Sequence, residues 1–99
     1  MDVLDKLVAA GFALRTLPAY ERHIGIERDN FIALVEPTPE GALRRFSAAG
    51  YLLEGRIALL VERRGEKFFV FKDKWIAASA ELLARFDRFQ KELDAILCA

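Results

Sequence analysis

The stretch RIALLVERRGEKFFVF, residues 56–71, decides the fold. Glycine interrupts two runs rich in β-branched, aliphatic and aromatic residues, as a hairpin requires. A two-residue turn at Arg64-Gly65 sets Arg63 opposite Glu66, Glu62 opposite Lys67 and Arg56 opposite Asp73. A three-residue loop would instead oppose Glu62 and Glu66, a like-charge pair that destabilises a ladder. The two-residue register is therefore expected. It places Ile57, Leu59, Val61, Phe68 and Val70 on one face and Ala58, Leu60, Phe69 and Phe71 on the other. A sheet apolar on both sides needs cover on both sides. Helices can supply one; a second sheet, barrel closure or another subunit must supply the other.

Beyond this hairpin, Ser79 is placed to cap a helix, with Glu81 suited to the positive end of its dipole. Leu82, Leu83, Phe86, Phe89, Leu93, Ile96 and Leu97 recur at three-to-four-residue spacing and form one apolar stripe. Glu81–Arg85 and Asp87–Lys91 are expected to pair at i,i+4 on the polar side. The stripe is too short for an independent coiled coil, so packing on the sheet is expected.

Ahead of the hairpin, residues 20–28 alternate: Tyr20, Ile24 and Ile26 share one face, Glu21, His23 and Glu27 the other. Asp29-Asn30 tolerates the positive φ of a tight hairpin and would pair Ile24 with Val35, Ile26 with Ala33 and His23 with Glu36. The run from Phe31 to Val35 is apolar on both faces, as an inner strand is. Pro37 to Gly41 reads as the next turn, and the strand Ala42–Ser47 then returns with Arg44 opposite Glu36 and Phe46 opposite Leu34. Ala48-Ala49-Gly50 reads as a corner. At the N-terminus, Asp2 caps a short helix over residues 3–10, which Gly11 ends while Phe12 folds back on Leu7.

The expected fold is a single α+β domain spanning residues 1–99. It consists of a curled antiparallel sheet or small barrel of about five to six strands, with a short N-terminal helix and a long C-terminal amphipathic helix packed on it. Apolar residues make up 54% of the chain, enough to fill a core and to argue against disorder.

Fifteen basic and fifteen acidic side chains give no net charge, and so no overall attraction to nucleic acid or to an anionic membrane. Cys98 has no second cysteine to bond, and no Cys/His set suits zinc. No signal-peptide pattern or membrane-length apolar run appears, so a cytoplasmic location is expected. His23 is the sole histidine and lies between carboxylates; Ser79 and Thr38 have capping and turn roles, and the glycines form no phosphate loop. No catalytic, cofactor or metal site is expected.

Residues 44–74 carry eight basic and four acidic groups, interleaved with aromatic side chains. That composition offers an alternative reading as a surface for single-stranded nucleic acid or a small ligand. The favoured reading is a non-catalytic interaction domain, binding itself as a homodimer or another protein. Arg44, Arg56, Phe69, Phe71, Trp75, Phe86 and Phe89 are the candidate partner or ligand surface.

Overall fold

The computed structural model describes residues 2–98. Helix α1, Val3–Ala9, starts at Asp2, whose carboxylate accepts a 2.9 Å hydrogen bond from the Asp5 amide. It ends as its sequence predicts: Gly11 takes φ +90°, and the Phe12 amide donates to the Leu7 carbonyl at 3.0 Å. Phe12 is thereby turned inward.

Strands β1 (Ala13–Arg15), β2 (Ile24–Arg28) and β3 (Phe31–Pro37) follow. The Asp29-Asn30 turn has both residues at positive φ, and it pairs Ile24 with Val35 and Ile26 with Ala33, the expected register. The strand does not reach back to Tyr20, however. Tyr20 donates to the Leu17 carbonyl and His23 to the Tyr20 carbonyl, so residues 17–23 form successive turns. These turns seat Leu17 against Ile32 and Leu34 of β3, a contact that a continuous strand could not make. His23 still reaches Glu36, at 3.6 Å.

Strand β4, Leu43–Arg45, returns against β3 with Arg44 opposite Glu36, and the Phe46 amide donates to the Leu34 carbonyl. Ala48-Ala49 leads not into a bare corner but into β5, Gly50–Leu53, which pairs with the start of β3. Glu54-Gly55 then turns the chain into β6, Arg56–Arg63, and Arg64-Gly65 turns it into β7, Glu66–Phe71. β6 and β7 pair in the two-residue register, Arg63 to Glu66 and Glu62 to Lys67. Arg56 does not meet Asp73, because Lys72-Asp73 makes a further turn into β8, Lys74–Ala77; on its other edge Arg56 pairs with Leu53 of β5. Among the described residues the strands are eight rather than five or six, in the order β1-β2-β3-β5-β6-β7-β8, with β4 also on β3. Every pairing is antiparallel, and the edges β1 and β8 do not meet. The curled sheet is a half-barrel.

Helix α2, Ala80–Leu97, starts at Ser79, whose hydroxyl accepts from the Leu82 amide. Its stripe fills the inner, concave side of the sheet. Phe86 approaches Phe31 and Phe69 with ring centroids at 5.2 Å, and Phe89 stands 5.7 Å from Phe12. Ile26, Phe31, Ala33, Val35, Ala58 and Leu93 complete this core. Asp87 and Lys91 pair as expected, but Arg85 leaves Glu81 for Asp29 in the first hairpin turn. Arg28–Glu92 and Arg45–Asp94 add further ties between helix and sheet.

The Arg85 guanidinium, mainly by hydrogen bonding, holds the Asp29 carboxyl below its ordinary range. A carboxylate depressed in the folded state stabilises above the unfolded pKa, and that contribution is lost as pH falls through the folded value. Asp29→Asn removes the charge while keeping a residue suited to positive φ. Wild type is expected to melt slightly higher at neutral pH, the two converging in acid. A difference that persists undiminished in strong acid would refute the ion pair as its source.

Candidate functional site

Strand alternation gives the sheet a second, convex face, and the structure covers only part of it. Near β3, Leu17 closes over Ile32 and Leu34, with Leu52 and Ile57 half-buried beside them. Beyond Ile57 the cover stops. The cross-strand rows Leu59–Val70–Trp75 and Val61–Phe68–Ala77 run side by side over β6, β7 and β8. Leu59 is 46% exposed, Val61 39% and Trp75 47%. Phe68 and Val70 are half-buried by their neighbours on the same face, with the Phe68 and Trp75 rings at 5.5 Å. Isolated exposed apolar side chains are ordinary; a contiguous apolar face over three strands is not.

The charge on this face is sparse and balanced. Alternation brings only Arg63 and Glu66 to it within β6, β7 and β8, and these two face each other across the hairpin. Where the rows approach the start of α2, Gly65, Glu66, Lys67, Phe68, Ala77 and Leu83 are among the residues lining a shallow hollow of about 490 Å³. The free edge of β8 borders the same patch.

Of the residues singled out from sequence, Phe69, Phe86 and Phe89 lie in the core, at most 6% exposed, because α2 fills the concave side. Trp75 stands on the convex face. Phe71 is half-buried on the concave side near the Lys72-Asp73 turn, with the Arg56 guanidinium 6.0 Å from its ring centre. Arg44 projects from the far end of the convex face, bonded to Glu36 at 2.8 Å. The seven residues thus divide among a core, a hairpin end and two parts of the outer surface. Leu59, Val61, Phe68 and Val70 belong beside Trp75. Their signal was the apolar alternation of 57–70, which identified a face in need of cover.

Of the eight cations of 44–74, three form ion pairs: Arg44 with Glu36, Arg45 with Asp94 and Lys74 with Glu54. Lys67 and Arg63 lie opposite Glu62 and Glu66 in the ladder, and Arg56, Arg63 and Lys72 stand 5.5–6.0 Å from the ring centres of Phe71 and Trp75. At the far end of the convex face, His23 stacks on Phe46 with centroids 3.8 Å apart and lies near Glu36. Among the described residues no cluster of His, Cys, Asp and Glu is arranged to hold a metal, and no helix is long and apolar enough to cross a membrane. No protein-family model, curated protein or solved structure matches the chain.

Proposed function

We propose that this chain is a non-catalytic interaction domain that binds protein through the convex face of β6, β7 and β8. The observation that carries this reading is the pair of adjoining apolar cross-strand rows, Leu59–Val70–Trp75 and Val61–Phe68–Ala77, left open where Leu17 no longer covers the convex face. Burying large apolar side chains contributes about 1.5–3 kcal/mol each when complete, so a partner covering this face gains substantially. Trp75 is the natural anchor: large, rigid and of a type enriched among residues that dominate binding energy. The low charge of the face suits an apolar protein surface better than a nucleic acid, whose phosphates would require unpaired cations.

A photoreactive amino acid placed at position 75 tests this in living cells, with position 88 on the exposed side of α2 as control. Position 75 is expected to give a discrete adduct with a protein identified by mass spectrometry, and position 88 none. No adduct at 75, or the same adducts at both positions, would overturn the proposal.

A further inference from the structure

We infer that the protein seated on this face is a second copy of the chain, stacked sheet on sheet about a two-fold axis. The inference rests on the interaction-surface reading above and adds the occupant and its register. The axis lies between the two sheets, perpendicular to their strands, and passes between the two apolar rows.

Such an axis exchanges the rows. Leu59 of one copy meets the second copy's Val61, Val70 meets the second copy's Phe68, and Trp75 lies over the second copy's Ala77. The largest side chain of the face is thereby set over its smallest, beside the shallow hollow lined by Gly65, Phe68 and Leu83. A protruding group and its seat occur two residues apart on one strand, the self-complementarity an isologous interface requires. Strands lie nearly along those they cover but run in the opposite sense, the aligned mode of sheet packing.

Charge points to the same occupant. A face carrying net charge would repel its own copy, whereas here one cation, Arg63, whose guanidinium lies 5.9 Å from the Trp75 ring centre, and one anion, Glu66, cancel in net charge. An acidic or a basic partner would find no complementary field. From strand spacing and rise, the three strands span roughly 300 Å² of sheet per copy, so pairing buries on the order of 600 Å² in all. That is below the size of a standard specific interface, and a weak, reversible dimer forming at high micromolar concentration is expected.

Sedimentation equilibrium of the purified chain tests the inference, together with Trp75→Ala and Val61→Glu. Both side chains are exposed in the monomer, so far-UV circular dichroism and melting temperature should stay near wild type. The wild type is expected to dimerise in the micromolar range, with each variant weakening association roughly tenfold or more. In a Cys98→Ser background, mixing a Leu59→Cys chain with a Val61→Cys chain should give a cross-linked heterodimer with a short bismaleimide. Either chain alone should give less.

A wild-type monomer throughout the micromolar range, with a position-75 adduct to a different protein, overturns the second copy and leaves the interaction surface standing. A monomer with no such adduct overturns both. A dimer indifferent to Trp75→Ala and Val61→Glu overturns the second copy on this face, since association would then use another surface; the position-75 adduct then decides the interaction surface separately.

Discussion

Phe31→Ala is expected to cost about 3–5 kcal/mol, the range for emptying an aromatic site in a packed core. Phe31 is fully buried and lies at the junction of every layer of the concave core. Its ring meets Tyr51 of β5 at 5.9 Å, Phe69 of β7 at 6.2 Å, and Phe86 and Phe89 of α2 at 5.2 and 5.9 Å. Those neighbours are themselves rings held on a sheet and a helix, so they cannot collapse inward to fill the space. Small domains have only about 5–15 kcal/mol of stability, so the variant should lose a large share of it. Urea unfolding checks this: the midpoint should fall steeply, and Phe31→Leu, which keeps more of the volume, should fall less. A midpoint within a few tenths of a molar of wild type would mean that the ring cluster does not organise the core.

Gly50→Ala should be almost as damaging, for the opposite reason. Gly50 sits where β5 passes from β3 to β6, opposite Ile32 on one side and one residue before the Tyr51–Ala58 pair on the other. A Cβ there would lie 2.4 Å from the Ala58 carbonyl oxygen and 2.7 Å from Ile57 Cγ2. The nearer obstacle is backbone within a ladder, so relief requires β5 and β6 to separate. Overpacking of this kind costs about 1–3 kcal/mol and sometimes more. Gly41→Ala is the useful contrast: nothing stands within 4 Å of a Cβ there, and only its positive φ of 82° opposes substitution. Gly50→Ala is therefore expected to lower the urea midpoint more than Gly41→Ala. The reverse order would refute the close approach of β5 and β6.

The parts of this fold legible in the sequence are those where turn chemistry and strand pattern agree. Asp29-Asn30 tolerates positive φ and is flanked by apolar runs, so its register could be read to the residue. Arg64-Gly65 was read from the charge matching of Glu62 with Lys67 and Arg63 with Glu66, which outweighed a poor turn residue. The missed strands lie behind turns that carry weak signals. Glu54 and Lys72 adopt φ of 50° and 55°, a region that most side chains avoid. Lys72-Asp73 carries no glycine to mark the turn into β8, whereas Gly55, at φ 76°, is a turn signal that the short four-residue strand before it, Gly50–Leu53, supports too weakly to fix a hairpin. The opposite error occurred at Tyr20 to His23, where alternation suggested a strand. Tertiary burial of Leu17 against Ile32 and Leu34 overrode it.

The open apolar face was legible in outline through the same alternation. The two-sided apolar hairpin required a second cover, and the structure leaves that face open in β6, β7 and β8. Phe69, Phe86 and Phe89 were harder to place, because a buried aromatic stripe and a partner-binding one share the same spacing. Only the side of the sheet on which α2 packs separates them. Once α2 takes the concave side, the face left open is that of the opposite parity, and Trp75 with Leu59, Val61, Phe68 and Val70 falls on it.

Trp75 is the chain's single tryptophan, so the face carries its own probe. Its emission, and its quenching by acrylamide, measured from nanomolar to high micromolar chain concentration, test the central claim most directly. The account predicts a water-exposed spectrum in dilute solution that shifts to the blue and becomes protected as concentration rises, with Val61→Glu remaining exposed throughout. Emission that stays red and freely quenched at every concentration, or a shift that Val61→Glu leaves intact, would contradict it.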